Sequence, residues 1–152
     1  MNSEVESIPA EWSKLSEALP RVLARLPLGG NIVLSTSGNR YVQFIQFETE
    51  LQSEISCNDF LEVGYRLSAE EEYKLESRGW TAPDVGLGYE NWTKLLVWPS
   101  HFDAYVELSH AVVFALNNVL NVRSPSDLRI RTWVNGDSGE VIDCRALGIS
   151  HG

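Results

Sequence analysis

An α+β domain with the element order α-β-β-β-α-β-α-β-β is what this chain predicts, and three observations predict it. Apolar residues recur every three or four positions from Trp12 to Leu26, the signature of one buried helix stripe. Three strand-like runs separated by turn residues lie between Asn31 and Cys57. A long segment from Phe102 to about Leu120 carries apolar residues on more than one helical face.

The first helix contains Trp12, Leu15, Leu19, Val22, Leu23 and Leu26. Pro20 removes one backbone hydrogen bond inside it, so a kink or a break into two short helices is expected. Pro27 and Gly29-Gly30 end it. Asn31 to Thr36 is an aliphatic strand, Ser37-Gly38-Asn39 a turn, and Arg40 to Phe47 a strand apolar on both faces that belongs in the middle of a sheet. Leu51, Ser53, Ile55 and Cys57 alternate with Gln52, Glu54 and Ser56, so the third strand has one wet face and completes an antiparallel meander.

Leu67 to Arg78 reads as a helix. Ser68 and Glu71 form a capping box, Glu70 to Glu72 suit its positive end, Lys74 and Arg78 its negative end, and Gly79 stops it. Thr81 to Glu90 is a loop with Pro83, Gly86 and Gly88, and Asn91 to Trp98 is a strand. Ser100, with Asp103 three residues on, is expected to open the longest helix. Its main stripe is Phe102, Tyr105, Val106, Val112, Val113, Leu116 and Leu120. Ala104, Leu108, Ala111 and Ala115 form a second stripe, which one sheet contact leaves unexplained. Leu128 to Val134 is a strand, and Asn135-Gly136 signals a hairpin into a last strand from Glu140 to Cys144.

The length of 152 residues fits a single domain, 1–152, with 1–8 and 146–152 expected as flexible ends. A net charge of -9 argues against nucleic acid or an anionic membrane as partner, since both reward clustered Lys and Arg. Nothing near Met1 reads as a signal peptide, and the apolar stretch Tyr105 to Leu120 is too short and too interrupted to span a bilayer. Cys57 and Cys144 form no C-x-x-C pair, so reduced thiols in a cytoplasm are expected.

Catalytic groups do not assemble from the sequence. His101 and His110 lie half a helical turn apart in orientation, and no metal-ligand spacing is present. Asn135, Asp137, Gly139 and Glu140 lack the distal glutamate of a calcium loop and read as a hairpin turn. No phosphate-binding or nucleophile motif occurs, and Cys57 reads as a small core residue. No enzyme, metal or cofactor is therefore expected. Of the five tryptophans, Trp12, Trp92, Trp98 and Trp133 are candidates for a binding surface, Trp133 being the best placed for exposure because it opposes Leu128, Ile130 and Val134.

A set of landmarks runs through the chain: Leu26-Pro27 with Gly29-Gly30, Arg40-Tyr41-Val42-Gln43-Phe44, Asn58 with Phe60-Leu61, Leu67-Ser68, Gly79-Trp80 with Pro83, Asn91-Trp92 and Ser124-Pro125. In this order they resemble the TY-Chap family, predicted peptide-binding chaperones grouped with type III secretion chaperones and YbjN-like proteins. The resemblance covers roughly Trp12 to Trp133. It implies a type III secretion chaperone-like fold with a twisted antiparallel sheet flanked by helices, and a small, acidic, cytoplasmic dimer.

The resulting expectation is a non-enzymatic module that holds a peptide or protein segment against an apolar patch or sheet edge. The alternative is an acidic regulator or inhibitor of a basic partner, and an unrecognised enzyme comes after both. A homodimer is expected through Ala104, Leu108, Ala111 and Ala115.

Overall fold

The structure, a computed structural model, describes residues 8–136 and 139–152. The N-terminal residues 1–7, expected as part of a flexible end, and Asp137 of the calcium-like cluster lie outside the described residues.

A 3-10 turn, Ala10–Trp12, leads into α1, Ser13–Ala24. Pro20 sits inside α1, which runs as one helix and does not break in two. The strands β1 (Gly30–Thr36), β2 (Arg40–Gln46) and β3 (Glu50–Ile55) follow as the expected meander. Gly38 makes the first turn possible. Its φ of +78° is left-handed backbone, and a Cβ there would collide with the Tyr65 ring.

The second helix, α2 (Ala69–Ser77), starts as its sequence dictates. Glu71 N donates to Ser68 Oγ at 3.1 Å, and Ser68 N donates to Glu71 Oε1 at 2.9 Å. Glu71 also accepts from Asn121 Nδ2 through its second oxygen at 3.1 Å, which ties the start of α2 to the far end of the third helix. Gly79, with φ +89°, takes the chain out of α2.

Strand β4 (Trp92–Val97) is followed by α3 (Phe102–Phe114), which passes into a π-helical turn, Ala115–Val119. The cap of α3 differs from expectation. His101 is the N-cap and makes no side-chain cap bond, while Ser100 Oγ instead donates to the Val97 carbonyl. Arg40 closes the other end, its Nη1 donating to the carbonyls of Leu120 at 3.0 Å and Asn121 at 3.2 Å.

Strand β5 (Arg129–Val134) adds to the sheet, and the final strand, β6, is Ser150–His151. The sheet order is β4-β3-β2-β1-β5-β6. Neighbours are antiparallel except β5 and β6, which pair in parallel, so the sheet is mixed. The order of helices and strands is the expected one, and so is the interior position of β2. The last strand is not at Glu140 to Cys144, a stretch without helix or strand. Those residues carry Cys144 and then Leu147 inward to the core beside α1, leaving Val141 at 89% exposure. Farther on, Leu147 is buried and Ser150–His151 pairs with β5.

Helices α1 and α3 pack together on one sheet face. Their core partners are Ile32, Leu34, Val42, Phe44, Leu51, Ile55 and Ile130. Each large apolar side chain removed from water there contributes about 1.5–3 kcal/mol. Cys57 is in this core, as its strand alternation predicts.

Candidate functional site

Sheet and helices are unequal in width. Six strands spaced roughly 4.8 Å apart are wider than two helices of about 10 Å diameter can cover. The margin of interest on the helical side is at β4, the sheet's first edge, where β4 and α3 residues line a common space.

A groove of about 770 Å³ occupies that margin. Lys94 and Leu96 of β4 form one wall, and Ala104, Leu108, Ala111 and Phe114 of α3 form the other. Ser77 and Arg78, at the end of α2, close it on one side. Leu96, Ala111 and Phe114 are partly buried against the core, so the lining combines apolar surface with a few polar heads.

The backbone at the same edge is open over part of its length. Thr93 exchanges both hydrogen bonds with Thr81, at 2.8 and 2.9 Å, on the side away from β3. In an antiparallel ladder the bonding direction repeats every two residues. The N–H groups of Leu95 and Val97 therefore point the same way as that of Thr93, beyond the point where Thr81 covers the edge. Leu95 is 43% exposed and Val97 72%.

Two cations stand at the α2 end. Lys94 Nζ donates to the Arg78 carbonyl at 2.9 Å and lies 5.8 Å from the centre of the Trp80 ring. Burial pulls the Lys94 pKa below its usual value, and the charge of Glu107 on α3 opposes that shift. The Arg78 guanidinium stacks 3.6 Å above the Phe114 ring, in cation–π geometry.

Of the second-stripe residues, Ala104, Leu108 and Ala111 line the groove, whereas Ala115 is completely buried at the start of the π turn. Trp12 and Trp92 are core residues, 0% and 3% exposed, so neither presents its ring at a surface. Trp98 is half-buried next to β4. Trp133 is 40% exposed, on the opposite sheet face from the helices, with Arg131 5.8 Å from its ring centre. The sequence singles out Ala104, Leu108 and Ala111 only as an expected dimer face, and it does not point to Lys94, Arg78 or Leu96 as their neighbours across the groove. The spacing of lysine and apolar residues along β4 gives no sign that a helix stops short of them.

Two other polar clusters have structural partners. Asn91 accepts from Cys57 N at 3.0 Å and donates to Tyr41 OH at 2.9 Å and Glu54 Oε1 at 3.2 Å, with burial raising the Tyr41 pKa and the Asn91 bond opposing it. A cavity of about 490 Å³ near Arg40, Arg66 and Arg123 is shared with Glu71 and Asp127. Among the described residues, no group of three or more His, Cys, Asp or Glu is placed to hold a metal. Nor is any helix among them long and apolar enough to cross a membrane.

The sequence model of TY-Chap3, the "T3SS (YopN, CesT) and YbjN peptide-binding chaperone 3" family, matches residues 5–134. The chain belongs to this family. The match takes in α1, β1 to β4, α2, α3 and β5, and so includes both walls of the groove. TY-Chap3 is described by peptide binding, a chaperone activity and not an enzymatic one. No curated protein and no solved structure is significantly similar to the chain.

Proposed function

We propose that this protein binds an extended peptide segment in the groove between β4 and α3. The segment's apolar side chains enter beside Leu96, Leu108 and Ala111. Its backbone pairs with the outward groups of Leu95 and Val97, adding a strand to the sheet edge. The observation that carries this reading is the coincidence of an open strand edge with an apolar-walled groove on one margin of the sheet. Binding through buried apolar area and backbone pairing asks for no reactive group. Two buried free thiols, Cys57 and Cys144, support action in a reducing cytoplasm.

The homodimer reading uses part of the same surface. A second copy seated on Ala104, Leu108 and Ala111 would compete with a peptide for the α3 wall, so peptide binding should shift a dimer toward monomer. Ala111→Trp fills the groove from the α3 side and tests both readings. Titration of a fluorescent library of extended apolar peptides should show binding to the native chain and its loss in the variant, with thermal unfolding little changed. Equal binding by the variant would place the peptide elsewhere. Light scattering on the same samples reports whether the α3 face also joins two copies.

A further inference from the structure

We infer that the segment this groove accepts carries an acidic side chain, Asp or Glu, opposite Lys94 and an apolar side chain two residues away, opposite Leu96. The inference rests on the groove reading and adds the chemical class of the occupant.

Register supplies the spacing. On a strand paired with β4, residues directly opposite one another place their side chains on the same face, about 5 Å apart. Lys94 and Leu96 are two apart on β4 and both line the groove. Their partners on an added strand are therefore also two apart and also face the groove. The intervening residue points to the other sheet face, beside the exposed Leu95.

Charge supplies the acid. The whole chain has a net charge of -9. Among the described residues, the groove lining carries the cations Lys94 and Arg78 and the carboxylate of Glu107. The Lys94 ammonium uses one of its three donors on the Arg78 carbonyl. Glu107 acts on Lys94 electrostatically without pairing with it. Partial removal from water weakens solvent screening around this ammonium. An incoming carboxylate would take up its remaining donors, whereas a lysine would meet like charge. The Thr81 bridge blocks the edge at Thr93, so Lys94 stands where the added strand must begin or end.

The test is a set of otherwise identical extended peptides with Glu, Gln or Lys at one position and leucine two residues on, measured by fluorescence anisotropy at low and high salt. The Glu peptide is expected to bind about 5- to 10-fold tighter than the Gln peptide at low salt, as a partly desolvated charge pair supports. The Lys peptide should bind weakest, and added salt should narrow the differences. Glu107→Gln, an exposed change that leaves Lys94 in place, should widen the preference for Glu. Lys94→Arg should keep that preference and Lys94→Met should abolish it. Equal binding of Glu and Gln peptides, with both blocked by Ala111→Trp, overturns the acidic preference and leaves the groove reading standing. Absence of binding by every peptide overturns both.

Discussion

Lys94 Nζ donates to the backbone carbonyl of Arg78 across 2.9 Å, tying the edge strand to the C-cap of α2. One side chain thereby satisfies a helix-end carbonyl and holds the α2 end of the groove in place. Lys94→Met should destabilise the fold by about 1 kcal/mol, the typical net worth of such a bond. Urea unfolding measures this, and no change in midpoint would mean that the bond contributes nothing in water.

The capping box at Ser68 and Glu71 has a third member in Asn121. Ser68→Ala should cost about 1 kcal/mol. Glu71→Ala should cost more than Ser68→Ala, because it also releases the tie to Asn121. A double-mutant cycle between Glu71 and Asn121 isolates that contact, and a coupling indistinguishable from zero would count against it.

Asn91 is buried and satisfies the backbone N–H of Cys57 as well as the Tyr41 hydroxyl. Asn91→Ala leaves those donors and acceptors without this partner, which should destabilise by about 1–3 kcal/mol. Amide exchange at Cys57 should accelerate with it. Unchanged exchange there would show that another acceptor takes over.

Cys144 gives a pH prediction. Burial, helped by the charge of Asp143, pushes its thiol from an ordinary 9.0 up to about 11. The unfolded chain therefore loses this proton at lower pH than the folded chain does. The folded state binds more protons between those two values, so this thiol lowers stability as pH rises from 9.0 toward 11. Cys144→Ala should flatten the alkaline fall in melting temperature. Slow reaction of the native protein with a thiol reagent at pH 8, and fast reaction in urea, is the companion result.

What could be read from the sequence divides by the range of the interactions involved. The α2 cap was legible because Ser68 and Glu71 bond within one turn. The meander was legible because alternation in β3 and the turn around Gly38 are local. The final strand was not. Asn135-Gly136 suggested a hairpin, yet the two residues that reach the edge of β5 are Ser150–His151, running parallel to it. A parallel pair this short has no local signature, and its place follows from where Leu147 must go to be buried.

The groove was half legible for a similar reason. The small and apolar residues Ala104, Leu108 and Ala111 announced an extra helix face, but periodicity cannot say what that face meets. Ala115 belongs to the same stripe by spacing, and the structure buries it where α3 gives way to a π turn. Trp12 and Trp92 show the converse. Indoles suit binding surfaces and cores alike, and only packing assigns these two to the core.

An extended peptide that joins the sheet at β4 would hydrogen-bond to the outward amides of that strand. Hydrogen–deuterium exchange of the native chain with and without a bound peptide tests it most directly. Strong new protection of the Leu95 and Val97 amides is expected, with little change at Trp133 on the opposite sheet face. Protection centred on Trp133, with Leu95 and Val97 exchanging as before, would contradict it.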